Sequence, residues 1–167
     1  MRALKLAIIS FIILFLLMTG ISLFIPPHIR VSRALQINSP EQRILDVIDD
    51  PASWKYWFPG ADSAMLYQEN GRARGVVLNA NQNRYVSLKE RKSDEIIAEY
   101  KGIKQKKVLT GWTTHREESG AITVQWYMDF TLRWYPWEKF SSILFEKQYG
   151  PGLDEGLARL KRLLEEK

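Results

Sequence analysis

From Leu6 to Ile25 the chain runs for twenty residues without a charge, LAIISFIILFLLMTGISLFI. A helix of that length spans roughly 30 Å, the thickness of a bilayer's hydrocarbon core, which rules out an ordinary soluble protein. A cleaved signal peptide would show an apolar stretch of about 7–15 residues and then a small-residue cleavage site. Here Met18-Thr19-Gly20-Ile21-Ser22 returns to Leu23, Phe24 and Ile25, which favours an uncleaved anchor over a cleaved signal. The chain has no cysteine, so processing at a lipidated Cys is excluded. Pro26-Pro27 stops the helix, because proline lacks the amide hydrogen and pushes the residue before it out of helical geometry.

The net charge of +5 is uneven. Arg2, Lys5, Arg30 and Arg33 precede residue 34 with no acid among them, while the rest of the 24 basic residues nearly balance the 19 acidic ones. A near-neutral domain lacks the clustered basic surface that phosphate binding demands, so the partner expected is the lipid bilayer and not nucleic acid. Arg2, Lys5 and the α-amino group favour a cytoplasmic N-terminus, and Arg30 and Arg33 pull the other way. The short N-terminal tail tips the balance. The expectation is an anchor over residues 1–27 and a folded domain over 28–167, single-pass in the cell (inner) membrane with the domain on the extracytoplasmic, periplasmic side.

Beyond the anchor, HIRVSRALQIN at 28–38 alternates as a first strand. Ser39-Pro40-Glu41 reads as a helix start with Ser39 as N-cap, followed by Ile44, Leu45, Val47 and Ile48 on one face until Asp50-Pro51 ends it. The aromatic stretch from Pro51 to Pro59 predicts a second, short helix. From Ala64 to about Trp134, five or six strands follow one another with no helix between them, an antiparallel meander with Asn70-Gly71 as its first tight turn and a polar loop at Asn79–Asn83. In the last strand Ile122, Val124, Trp126, Met128, Phe130 and Leu132 share one face, so one face of the sheet is buried. After Gly150-Pro151-Gly152, Leu153, Leu157, Leu160 and Leu164 mark an amphipathic helix long enough to cross that face. Gly156 within it costs about 1 kcal/mol relative to alanine, which implies close approach to the sheet or room beside the helix.

Three stretches carry a resemblance. Val31–Glu41 is similar to a first strand and helix start of the "INAPPEKV" kind, Asp50–Trp57 to a "D-x-x-x-W-x-x-W" short helix, and Tyr149–Lys161 to a "GPDLEKGLxxLK" C-terminal helix. In this order they resemble the START/Bet v 1-like (SRPBCC) superfamily, in particular its membrane-anchored polyketide cyclase/dehydrase-like branch, across about residues 30–167. The resemblance implies an α+β helix-grip fold, an antiparallel sheet wrapped around a long C-terminal helix, here preceded by an N-terminal transmembrane helix. One departure is Gly60, which stands where the pattern "W-S-P-W" has its second tryptophan. The superfamily includes lipid carriers, hormone receptors and cyclases, so fold alone assigns no activity.

No cysteine nucleophile, G-x-S-x-G elbow, Walker loop or H-E-x-x-H motif is present. His28 sits at the membrane boundary, and His115 lies opposite the Trp112 face, so no metal ligands, cofactor or catalytic residues are expected. Arg84 and Glu90 share parity with Val86 and Leu88, which would let them meet as a buried pair, although strand-end charges are more often solvated. The apolar face offers the ligand-binding candidates: Leu88, Tyr100, Trp112, Trp126, Met128 and Phe130 facing Leu153 and Leu157. They either line a gap between sheet and helix suited to a lipid-like ligand or form a packed core. Trp134-Tyr135-Pro136-Trp137 with Phe140, Ile143 and Leu144 would either touch lipid or, more commonly for such clusters, be buried under the C-terminal helix. Lys101, Lys104, Lys106 and Lys107 would solvate a strand edge or meet anionic head groups.

The function expected is a membrane-tethered, non-enzymatic binding domain for a hydrophobic small molecule or lipid. The alternatives are a cyclase, dehydratase or hydrolase working through carboxylate and tyrosine groups, and a membrane-bound protein-interaction module.

Overall fold

A computed structural model describes residues 2–79, 81, 84–102, 107–118 and 120–166. Helix α1 (Arg2–Ser22) is long and apolar enough to cross a membrane, and its large side chains are exposed. It stops short of the prolines, giving way to tight turns in which Phe24 and Ile25 donate back to Ile21 and Ser22. The folded domain then runs β1 (His28–Ile37), α2 (Glu41–Asp49), α3 (Trp54–Trp57), β2 (Met65–Glu69), β3 (Arg72–Asn79), β4 (Arg84–Arg91), β5 (Glu95–Lys101), β6 (Lys107–Arg116), β7 (Ile122–Thr131), α4 (Pro136–Ser141) and α5 (Phe145–Glu165). The seven strands form one antiparallel sheet in the order β1-β7-β6-β5-β4-β3-β2.

Local chemistry accounts for most of these boundaries. Asn70 (φ 52) and Gly71 (φ 74) both take positive φ, as the two-residue turn that matches strand twist requires, and join β2 to β3. Asp50 is extended before Pro51 and ends α2. The start of α2 differs from expectation: Pro40 occupies the N-cap, and the buried Ser39 hydroxyl makes no hydrogen bond among the described residues. Ile44, Leu45 and Ile48 of α2 are buried.

The C-terminal helix also differs from expectation. Gly150-Pro151-Gly152 lies inside α5, which begins at Phe145. An interior proline costs about 3 kcal/mol. The turn before it is held by packing: the Phe130 ring lies 4.6 Å from Phe145 and 4.8 Å from Tyr149. Arg33 on β1 adds a tie, donating to Glu146 and, at 3.0 Å, to Asp154 across the face of Gly150, where a Cβ would collide with the guanidinium. Salt-bridging holds this guanidinium's pKa above its ordinary value. α5 thereby lies along β1, β7 and α3. At Gly156 the close-approach reading holds: an added Cβ would run into the Trp126 ring and come within 3.0 Å of Pro59.

On the sheet's other face Tyr127 is also buried. Its hydroxyl donates to Glu95 at 2.8 Å, Arg30 covers its ring at 4.2 Å, and it occupies the space a side chain at Gly111 would need. Burial and the Glu95 carboxylate push the phenol's pKa well above the ordinary range.

The segment between β7 and α5 is placed beside the exit of α1. Leu132 donates to the Pro27 carbonyl at 2.8 Å, and the buried Lys139 ammonium donates to the Ile25 carbonyl. Pro136, Trp137 and Phe140 face Phe11, Leu14, Phe15 and Met18 across an apolar groove of about 440 Å³. Burial under the C-terminal helix is not the outcome for this cluster: Trp134, Trp137, Ile143 and Leu144 are each more than 60% exposed. A six-residue helix and a 3-10 turn cannot bury apolar groups on both sides, and Pro136, Lys139 and Ser142 take the inward positions.

Candidate functional site

The inner face of β5, β6 and β7 places Tyr100, Thr110, Trp126 and Met128 beneath α5, which contributes Gln148, Tyr149, Gly152 and Leu153. With Phe58 and Pro59 these groups line a cavity of about 150 Å³, mostly apolar. A second cavity of about 210 Å³ is lined by Arg84, Gly102, Val108, Phe130 and Phe145 and shares Tyr100, Gln148 and Tyr149 with the first. With three lining residues in common they adjoin as two lobes, here termed inner for the apolar one and outer for the more polar one. Each is smaller than the roughly 300 Å³ at which drug-sized pockets begin, so each suits a small or slender group.

The polar groups are few. Arg84 Nη2 donates to the Tyr100 hydroxyl at 2.8 Å, and Arg84 Nε is buried with no acceptor among the described residues. Burial raises the pKa of the Tyr149 phenol; Tyr100 adds to this and Arg84 opposes it. The Thr110 hydroxyl is already committed, accepting from Trp126 Nε1 at 2.8 Å and donating to the Tyr127 carbonyl at 2.8 Å. Among the described residues no three His, Asp or Glu side chains cluster to hold a metal.

Of the residues expected from sequence to bind a ligand, Tyr100, Trp126, Met128 and Leu153 meet in the inner lobe and Phe130 lines the outer one. Leu88, Trp112 and Leu157 are absent from both linings and lie in the core. For Trp112 the reason is α3 and the adjoining Phe58, whose aromatic rings fill the space beside it. Trp54 and Trp57 each lie 5.8 Å from Trp112, centroid to centroid, and Phe58 lies 5.2 Å from Trp126. Trp54 Nε1 donates to Ile48 and Trp57 Nε1 to Ser53; Trp112 Nε1 is buried without a partner among the described residues.

Arg84 and Glu90 do not meet, since six residues along one strand set them about 20 Å apart. A bulge between Leu88 and Glu90 adds one residue to β4, so Glu90 opposes Ile97 and turns out to solvent while Arg84 keeps the inner face. Arg84 pairs instead with Tyr100. His115 is exposed on β6. Of the basic hairpin, Lys101 and Lys107 flank the β5–β6 connection, and Lys104 and Lys106 lie outside the described residues. Sequence reasoning missed Tyr149 and Gln148 because it read Gly150-Pro151-Gly152 as a break. Extending the Leu153 and Leu157 stripe four residues back would have reached Tyr149.

Residues 28–165 match the family model for polyketide cyclase/dehydrase and lipid transport proteins. None of the curated proteins matches the chain. Among solved structures, a START superfamily protein from Mycobacterium smegmatis aligns with a TM-score of 0.61 at 13% identity, covering 82% of this chain and 97% of that one. A protein from Thermobifida fusca aligns with a TM-score of 0.60 at 17% identity, covering 81% and 95%. The di-domain aromatase/cyclase BexL of the BE-7585A biosynthetic pathway aligns with a TM-score of 0.58 at 14% identity, covering 83% of this chain and 50% of BexL. At these identities the likeness is one of fold.

Proposed function

Because this chain belongs to the polyketide cyclase/dehydrase and lipid transport family, we propose that it is a membrane-tethered, non-enzymatic domain that binds a hydrophobic small molecule or lipid between its sheet and α5. The observation that carries the reading is the two-lobed site. Trp126, Met128, Phe58 and Leu153 supply an adaptable apolar wall, and a few polar groups at one end supply orientation. Among the described residues the lining holds no carboxylate, histidine or lysine, and burial pushes the Tyr149 phenol up, so the lining offers ligand contacts more readily than a base.

The tether reading assigns residues 1–27 to a single-pass anchor in the cell membrane and 28–167 to the domain on its outer side. Exposed Trp134, Trp137, Ile143 and Leu144 support it, since exposed aromatic and aliphatic side chains suit a lipid environment and Trp137 lies against the apolar side of α1. Phe145, next in sequence, lines the outer lobe, which brings the site's wall close to that surface.

The test is extraction and mass spectrometry of the full-length chain purified in lipid nanodiscs, against empty nanodiscs. A specific hydrophobic compound enriched with the protein and lost in Leu153→Phe, which fills the inner lobe, is the expected result. Equal lipid profiles for protein, variant and empty discs would overturn the reading. A C-terminal reporter active only outside the cytoplasm checks the orientation.

A further inference from the structure

Arginines on the inner face of the sheet are treated differently: Arg91 and Arg116 pair with acids of α2. Arg33 on β1 is paired with Glu146 and Asp154 of α5. Among the described residues Arg84 on β4 holds no ion pair; its partner is the Tyr100 hydroxyl, and its Nε–H is buried without an acceptor. A cation partly removed from water beside Phe130, Val108 and Phe145 loses hydration that, among the described residues, the Tyr100 hydroxyl returns only in part.

We propose that the outer lobe is an anion-binding subsite and that the ligand is an anionic amphiphile, with a single carboxylate or phosphate head on Arg84 and its apolar chain in the inner lobe. This deepens the binding reading above and rests on it. A guanidinium presents Nε–H and Nη2–H along one edge, the geometry that a carboxylate or phosphate accepts with two parallel hydrogen bonds. The Tyr100 hydroxyl holds that edge in place from the neighbouring strand. Tyr100 and Tyr149 line both lobes, so a molecule anchored at Arg84 passes between them to reach Trp126 and Met128. The size of the lobes selects a chain of medium length.

The experiment uses the full-length chain in phosphatidylcholine nanodiscs, with binding to empty discs subtracted, and three labelled ten-carbon probes: decanoate, decyl phosphate and decanol. Hydrogen bonds to a charged group are worth at least tenfold in affinity, so at least one anion is expected to bind tenfold or more tightly than decanol. The two anionic arms distinguish a carboxylate from a phosphate ligand. Arg84→Gln is expected to abolish the preference by lowering affinity for the anion at least tenfold, and Arg84→Lys to restore part of it. A melting temperature within a few degrees of the wild type shows that each variant is folded; Tyr100→Phe, which keeps the ring and removes the hydroxyl, is a milder second variant expected to weaken the anion by a smaller factor. Equal affinity for anions and alcohol, or a preference that survives in Arg84→Gln, would overturn the subsite and leave the hydrophobic-binding reading standing. Failure of the wild type to bind any of the three would overturn both.

Discussion

At one end of the sheet's inner face, Trp54, Trp57 and Phe58 pack against Trp112 and Trp126 with almost no exposure; at the other, Tyr100, Met128 and Tyr149 surround open space. The strands present large side chains to both ends. What differs is the cover. α3 and the Phe58 that follows it bring three aromatic rings to this end, held by Trp54 and Trp57 hydrogen bonds, whereas the first turns of α5 bring Gln148 and Gly152. A cavity in this fold therefore reflects what the covering elements leave unfilled, even where the strand faces are equally apolar.

The sharpest way to break this comparison is to truncate one residue at each end. Trp112→Ala should cost about 3–5 kcal/mol, because the surrounding rings cannot collapse into the hole, and Met128→Ala should fall near the low end of its range, about 2 kcal/mol, since it faces space already open. Thermal unfolding of both variants in nanodiscs measures the difference, and equal costs would show the two ends to be packed alike.

Glycines on α5 give a smaller contrast along one helix. Gly156→Ala forces a methyl into Trp126 and Pro59, so overpacking of about 1–3 kcal/mol outweighs the helix-propensity gain of about 1 kcal/mol. Gly152 has nothing within 4 Å of a Cβ, so Gly152→Ala should raise the melting temperature. A rise in both would mean that α5 stands off the sheet.

The smallest effect is on pH dependence. Burial raises the Tyr149 pKa above its ordinary 10.0. The phenol therefore contributes stability in full below that value, and the contribution is lost as pH climbs toward the folded-state pKa, because the unfolded chain releases the proton first. Tyr149→Phe should flatten the alkaline loss of stability without changing the profile near neutrality. An unchanged alkaline slope would place this phenol in contact with water.

Much of this architecture is legible in the residues themselves. The uncharged run to Ile25, the Asn70-Gly71 turn, the period of two from Ile122 to Leu132 and the spacing of Leu153, Leu157, Leu160 and Leu164 each encode a local geometry that neighbours in sequence suffice to specify. The family motifs at Val31–Glu41 and Asp50–Trp57 fall on β1, α2 and α3, as their resemblance implies. Tertiary structure alone decided which apolar residues would face space. Trp112 and Trp126 stand directly opposite each other on neighbouring strands with the same inward direction, yet only Trp126 lines the cavity, because α3 packs over one and Gly152 and Leu153 pass over part of the other. The same holds for Arg84. Its inward parity was readable, but the long-range contact that supplies Tyr100 depends on how β4 registers with β5. Periodicity determines the direction of a side chain, which is local. Whether that direction meets a ring, a partner or open space is set by segments far away in sequence, and that is why the sequence determined the frame of this protein and the fold decided its site.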